Sequence, residues 1–289
     1  MKNIKRWFLL PLLLALPLLS AAQKAEKYPF PASYNKEAAQ GMAIYKSSAF
    51  LLNNGGHCRI YDLKSEKLVA DFDLACAVYK ENHCNNASFG VDFPAGNKEF
   101  PAFYVAECYG ERRCFVESVT RSGSQLIQVL KIDAEGRIGF DWVVDRNQKC
   151  LYALSKISDV IDSIGTKKYL ITKYPLPTLD KKEVVFTKKD LIEEFEIGFP
   201  NLSQGASIHK GHLYLPVGLH SSPTTEKRKD AHRDIIVVNL KTHRIEKIID
   251  IQSVVDGEPE DIDFYRNNLL LYCGQQDGGV YNLKRIYEY

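Results

Sequence analysis

The chain has only two methionines and two tryptophans, no low-complexity tract and no long run of basic residues. Its 38 Lys+Arg are almost matched by 36 Asp+Glu, which excludes the concentrated positive surface of a dedicated nucleic-acid binder. After residue 19 no apolar stretch reaches the length of about 18 residues that a membrane-spanning helix needs, so the mature chain is not expected to be membrane-embedded. Gly-x-Ser-x-Gly, His-Glu-x-x-His, phosphate-loop and dinucleotide fingerprints are all missing, and no cofactor is predicted. What is present is an ordinary globular mixture, 45% hydrophobic and 11% aromatic, rich enough to build a sizeable core and unlike a disordered or coiled-coil chain.

The first residues suggest a compartment. Lys2, Lys5 and Arg6 form a short basic region, Trp7 to Leu19 are apolar, and Ser20-Ala21-Ala22 set small residues before Gln23. Thirteen apolar residues are too few to cross a bilayer, so residues 1–22 read as a cleaved secretory signal and 23–289 as a single domain. With no cysteine after the apolar stretch, a bacterial lipoprotein anchor is not indicated. The expected location is secreted or periplasmic. Without the three signal cations the net charge of +2 becomes −1. Export to an oxidising space would make disulfides the expected state of paired cysteines.

Two segments read alike. QGMAIYKSSAFLLN from Gln40 is followed by YDLKSEKLVADFDL, and QGASIHKGHLYLPV from Gln204 by VNLKTHRIEKIIDI. Weaker copies of the opening start at Cys84, Phe140 and Glu258. Short runs rich in Val, Ile, Tyr and Phe, separated by Gly, Asn, Asp and Ser, predict strands and turns. Four strands at a period near 50 residues predict an all-β fold, a five-bladed β-propeller with four-stranded antiparallel blades at about 38–75, 83–133, 138–187, 199–252 and 256–289. Six blades, or a pair of β-sandwiches, are the alternatives. Lys188 to Glu196 reads as one or two helical turns or as a strand end. The last blade shows only three strands, and the segment Tyr28 to Tyr34 is expected to supply the fourth, closing the ring.

Propeller geometry turns the repeat into a site expectation. The start of each innermost strand and the loop between the second and third strands share one rim. Strand starts bring Gln40, His83, Asn85, Asn86, Asp141, Gln204, Glu258 and Glu260 there; loops bring Asn53, Asn54, His57, Arg112, Arg113, His220, His232, Gln275, Gln276 and Asp277. Gln40, His83, Asn85, Gln204, Glu258 and Glu260 are the candidate ligand contacts, the amides donating and accepting and the carboxylates orienting. Strand alternation puts Glu258 and Glu260 on one face and Asp261 and Asp263 on the other. The glutamates could work as acid and base, with Glu260 the candidate catalytic residue, or hold Ca²⁺ at the channel; no other metal is expected. The plainer alternative is that these residues only satisfy channel waters. The opposite rim reads as bland turns. The loop Gly218 to Asp234 is the longest insertion, with His220, His232, Lys227, Arg228, Lys229 and Arg233 opposed by Asp230 and Asp234, and reads as a lid, an anion-binding edge or a solvated insertion.

The cysteines offer several pairings. Cys108 and Cys114 flank the Gly-Glu-Arg-Arg loop and could face each other across a hairpin, while Cys76 with Cys84, or Cys58 with Cys84, are further candidates. His57-Cys58 and His83-Cys84 would suggest zinc in a reducing cell, but export favours oxidation. Seven is odd, so a monomer keeps one thiol, and Cys150 is the expected buried one.

The opening QGMAIYKSSAFLLNNGGHCRIYDLKSEKLV resembles the first blade of glutaminyl cyclotransferase-type propellers. The Gly-Glu-Gly-Leu and Asn-Glu-Leu-Glu motifs of such enzymes are missing from the later blades, so their activity does not carry over. QGM at Gln40, HCNNASFG at His83, QGASI at Gln204 and EPEDI at Glu258 together resemble the helveticin and teichoic-acid-biosynthesis-protein group, which implies a secreted bacterial five-bladed propeller. The functional expectation is a monomer that binds a small molecule, glycan or peptide at the loop-rich rim. The alternatives are an enzyme, either a cyclotransferase or a glycan hydrolase or lyase using Glu260, and a scaffold for a protein partner.

Overall fold

One turn, written three times, shapes three of the blades. Asp62 Oδ1 accepts the backbone N–H groups of Lys64 and Ser65 at 3.1 and 2.8 Å. Asn239 Oδ1 does the same for Lys241 and Thr242 at 2.8 and 3.0 Å, and Asp145 Oδ1 for Asn147 and Gln148 at 2.9 and 3.1 Å. Each turn ends on a residue with positive φ, Glu66, His243 and Lys149 respectively. A short side chain that bonds the backbone two and three residues on is what makes Asp or Asn the turn opener. The Asp-Leu-Lys and Asn-Leu-Lys sequences of the repeat are two of these turns.

The computed structural model describes residues 25–30, 38–133, 138–157, 166–200, 203–219, 231–274 and 278–284. Ahead of the first blade runs β1 (Glu26–Lys27). Blade 1 comprises β2 (Ala39–Tyr45), β3 (Ser48–Asn53), β4 (His57–Asp62) and β5 (Lys67–Asp73). Blade 2 has β6 (Ala87–Phe89), β7 (Phe103–Ala106), β8 (Cys114–Thr120) and β9 (Gly123–Ile132). In chain order there follow β10 (Ile138–Asp145), β11 (Cys150–Lys156), β12 (Thr166–Pro175), β13 (Glu183–Phe186) and β14 (Glu193–Pro200). Blade 4 is β15 (Ser207–His209), β16 (His212–Leu219), β17 (Ala231–Asn239) and β18 (Arg244–Asp250); blade 5 holds β19 (Glu258–Tyr265), β20 (Asn268–Gly274) and β21 (Gly279–Asn282). The strands β2, β6, β10, β15 and β19 neighbour one another in a closed cycle, which makes them the channel wall of a five-bladed β-propeller. Apolar clusters fill the spaces between adjacent blades, such as Phe50, Phe89, Phe103 and Phe115 between blades 1 and 2.

The expected boundaries shift at blade 3. Its fourth strand is β14, not the segment ending at 187, and β13 instead joins blade 2 as a fifth strand, parallel to β9. Phe186 explains the detour: it stacks on Tyr174 of blade 3 at 4.6 Å while its backbone pairs with Ile132 of blade 2. The segment Lys188 to Glu196 is a turn running into β14, whose Phe195, Ile197 and Phe199 alternate with exposed neighbours.

Closure is made by the N-terminal segment, slightly earlier than expected. Glu26 and Lys27 pair antiparallel with Asn282 and Tyr281, and the Tyr28 N–H donates to Val280 O at 2.8 Å. Phe30 then stacks on Tyr61 of blade 1 at 4.2 Å, tying the closing strand to the next blade. Residues 31–34 of the expected latch, and the signal reading of 1–22, lie outside the described residues. No helix among the described residues is long and apolar enough to cross a membrane.

Candidate functional site

Gln40, Asn85, Gln204 and Glu258 sit close to the start of an innermost strand and Asp141 lies inside β10, one residue from each blade, and all five are buried. Asn85 Nδ2 donates to Asp141 Oδ1 at 2.8 Å and also meets the carbonyl of Gln204. Gln204 Nε2 donates to Glu258 Oε1 at 2.5 Å. The channel mouth is therefore a polar ring in which blade 2 reaches blades 3 and 4, and blade 4 reaches blade 5. Burial pushes the Asp141 carboxyl up to about 7, against the opposing pull of its Asn85 hydrogen bond and of Lys156. Gln40 Oε1 and Asn86 Oδ1 are buried acceptors with no hydrogen-bond partner. Such groups cost free energy unless a donor meets them.

The two Gln-Gly pairs of the repeat have a steric reason. A Cβ at Gly41 would stand 2.7 Å from the carbonyl oxygen of Cys84, and one at Gly205 would stand 2.7 Å from that of Glu260 and overlap the Asp261 carboxylate. Glycine lets the neighbouring blade approach the channel wall at these points.

Below the ring the channel is closed by a second carboxylate layer. Asp261 Oδ2 accepts the N–H groups of Met42 (2.7 Å) and Ala87 (3.2 Å), and Oδ1 accepts Asn86 Nδ2 (3.1 Å) and its neighbour Ile262 N–H (2.8 Å). Deeper still, Asp263 Oδ2 accepts Ile44 N–H at 2.6 Å and Oδ1 accepts Ser207 Oγ at 3.1 Å. Burial raises both carboxyls, Asp261 well above the usual range and Asp263 to about 6.

The expected uninterrupted alternation along β19 does not hold. The register of β19 on β20 shifts between Pro259 and Asp261, a bulge that adds one residue and reverses the alternation after it. Glu258, Asp261 and Asp263 consequently bond to other innermost strands or their approaches, while Glu260 packs its carboxylate against Gly274.

The remaining candidates fall into different surroundings. His83 lies beside the Tyr109 ring at 5.0 Å on the same rim, outside the ring of five. Arg113 is occupied by the buried Glu107 and covers the Tyr79 ring at 4.4 Å, and Asn53 Oδ1 accepts His57 N–H at 2.8 Å. Cys58, Cys76 and Cys84 meet in the apolar cluster between blades 1 and 2, with the thiols of Cys76 and Cys84 within hydrogen-bonding reach. Cys108 lies near Asp141, whereas Cys114 is packed between blades 2 and 3 with Tyr104 and Trp142. All seven cysteines stand as thiols, Cys150 among the buried ones. His220, Gln275, Gln276, Asp277 and the cations Lys227, Arg228 and Lys229 lie outside the described residues.

Two features escaped the sequence reading. The strand-end mouth, expected to be bland, holds a cavity of about 380 Å³ lined by Ser88, Asp145, Arg146, Asn147, Ser207, His209 and Asp263 among others. On the outer strands of blade 4, His232, Asp234 and Asp250 form a cluster able to coordinate a metal ion, their ligand atoms all within 4.8 Å of one another. A His-x-Asp pair on one face of β17 opposite an acid on β18 was the available signal.

Fold and channel define the class: a five-bladed all-β propeller with a buried polar ring at one mouth. No protein-family model matches the chain, and no curated protein does. Among solved structures, the crystal structure of Myxococcus xanthus glutaminyl cyclase aligns with 90% of this chain and 94% of its own, at a TM-score of 0.50 and 15% identity. That likeness is one of fold.

Proposed function

We propose that the protein is an exported binding propeller whose strand-start channel mouth takes a small molecule, glycan or peptide through amino or hydroxyl donors on the ligand. The observation that carries this reading is the imbalance of the ring. Gln40 Oε1 and Asn86 Oδ1 are buried acceptors lacking donors, and the Asn86 carboxamide stands against the Asp261 carboxylate. A ligand rich in N–H or O–H groups would satisfy them, as a well-placed polar group does in a pocket. Titration calorimetry with amino sugars, amino acids and short peptides tests the reading. Binding is expected for at least one class, with affinity reduced at least tenfold in Gln40→Ala/Gln204→Ala and retained in Glu260→Gln. Binding lost in Arg146→Ala but kept in the double variant would move the ligand to the other mouth and overturn the reading.

Asp141 favours a second reading, in which the bound ligand is also turned over. A carboxyl poised at about 7 can give or take a proton near neutrality. Retained binding with lost turnover in Asp141→Asn would support it.

A further inference from the structure

We propose that His232, Asp234 and Asp250 form a zinc-class divalent-cation site on the outer edge of blade 4, independent of the channel. His232 Nε2 stands 3.3 Å from Asp250 Oδ1 and 3.5 Å from Asp234 Oδ1. Both distances exceed the 2.7–2.9 Å of a charge-assisted hydrogen bond, and one imidazole nitrogen can donate only one such bond. A tetrahedral ion about 2.1 Å from each donor would hold them about 3.4 Å apart. The separations from the imidazole nitrogen match an ion between the donors better than a direct ion pair.

The backbone supports convergence. Asp234 and Asp250 are directly opposite in the β17–β18 ladder, where two like charges repel unless a cation lies between them. Arg233 does not supply that cation. Its guanidinium bonds the carbonyls of Gly257 (2.9 Å) and Gln252 (3.1 Å), together with Gln252 Oε1 (3.2 Å). Asp250 Oδ1 is oriented by the N–H of Gln252 at 2.8 Å, the kind of outer bond that fixes a ligating carboxylate.

Blade 1 supplies the contrast. There His57 uses both ring nitrogens at hydrogen-bond length, Nδ1 to Asp73 Oδ1 at 2.5 Å and Nε2 to Asp71 Oδ1 at 2.6 Å, and Arg59 binds the other oxygen of Asp71 at 2.9 Å. That cluster is a closed ion-pair network. Imidazole with two carboxylates suits Zn²⁺ or Mn²⁺ more than Ca²⁺, which takes 6–8 oxygen ligands. Three protein ligands leave a further position for water or an anionic group.

Zinc chloride titrated into the full chain, followed by calorimetry and by metal analysis after desalting, tests the site. One zinc per chain is expected, with affinity falling at least tenfold in His232→Ala and in Asp250→Asn and unchanged in His57→Ala. Both triad side chains are exposed, 52% and 66%, so these variants should fold, which circular dichroism checks. Substitution of Co²⁺ should give the intense visible bands of a low-coordinate site in the parent chain only. Absence of stoichiometric binding, or binding that survives both triad variants, overturns the proposal.

Discussion

Asn86 Nδ2 lies 3.1 Å from Asp261 Oδ1 and 2.7 Å from the carbonyl of Ala206, so one carboxamide from blade 2 reaches blades 4 and 5 across the channel. Asp261 answers by accepting backbone N–H groups from blades 1 and 2. The pair is the knot that joins non-adjacent blades.

Asp261→Ala should therefore destabilise the protein by about 3–5 kcal/mol, because it leaves Met42, Ala87 and Asn86 donors buried without an acceptor. Asp261→Asn, which keeps one oxygen, should cost roughly half as much. Urea unfolding midpoints with an unchanged slope would measure both.

Gly205→Ala should destabilise by about 2–4 kcal/mol, since the added methyl overlaps the Asp261 carboxylate and the Glu260 backbone. Gly211→Ala makes a useful comparison. There a Cβ meets nothing within 4 Å, so any loss comes from its φ of +77° alone. Thermal unfolding of the two variants should rank Gly205→Ala as the more damaging.

Burial raises Asp141 to about 7 and Asp263 to about 6. The folded state thus binds these protons more tightly than the unfolded chain, so their contribution is full below about pH 4 and is lost as pH rises to 7. The difference in stability between the parent chain and Asp141→Asn should slope across that window and flatten above it. An upper bound on its span is roughly 4 kcal/mol. A difference that is flat from pH 4 to 7 would contradict the buried, protonatable Asp141.

In chain exported to an oxidising compartment, thiol–disulfide exchange should join Cys76 and Cys84, whose thiols are neighbours in the cluster between blades 1 and 2. Alkylation under denaturing, non-reducing conditions followed by peptide mass spectrometry should find those two blocked and Cys108, Cys114, Cys150 and Cys273 modified. Cys84→Ser should render Cys76 alkylatable.

Much of the fold was written in short-range chemistry. The paired Gln-Gly starts and Asx turns gave blades 1 and 4, and the five-bladed count followed from their spacing. Gln40, Asn85, Gln204 and Glu258 were legible as a rim because each stands near the entry to an innermost strand, whereas β10 begins at Ile138, ahead of Asp141. The bulge at Glu260 was not legible, since alternation assumes an uninterrupted ladder, and it took the partner strand to break it. The crossing of Glu183–Phe186 to blade 2 was hidden for the same reason: a strand's sequence states its faces but not its neighbour. The triad on blade 4 joins residues that are adjacent only across β17 and β18.

The two-residue strand Glu26–Lys27 also imposes an order in time. Its partner, Tyr281–Asn282, is synthesised only after blades 1 to 4, so blade 5 stays incomplete until then. Blades 1 to 4 can form from local hairpins, but the ring cannot shut before Asn282 has been made, and closure joins the most distant pair of strands among the described residues. A chain interrupted before Gly279 should accumulate as an open arc with an unpaired sheet edge, prone to pair with its neighbours.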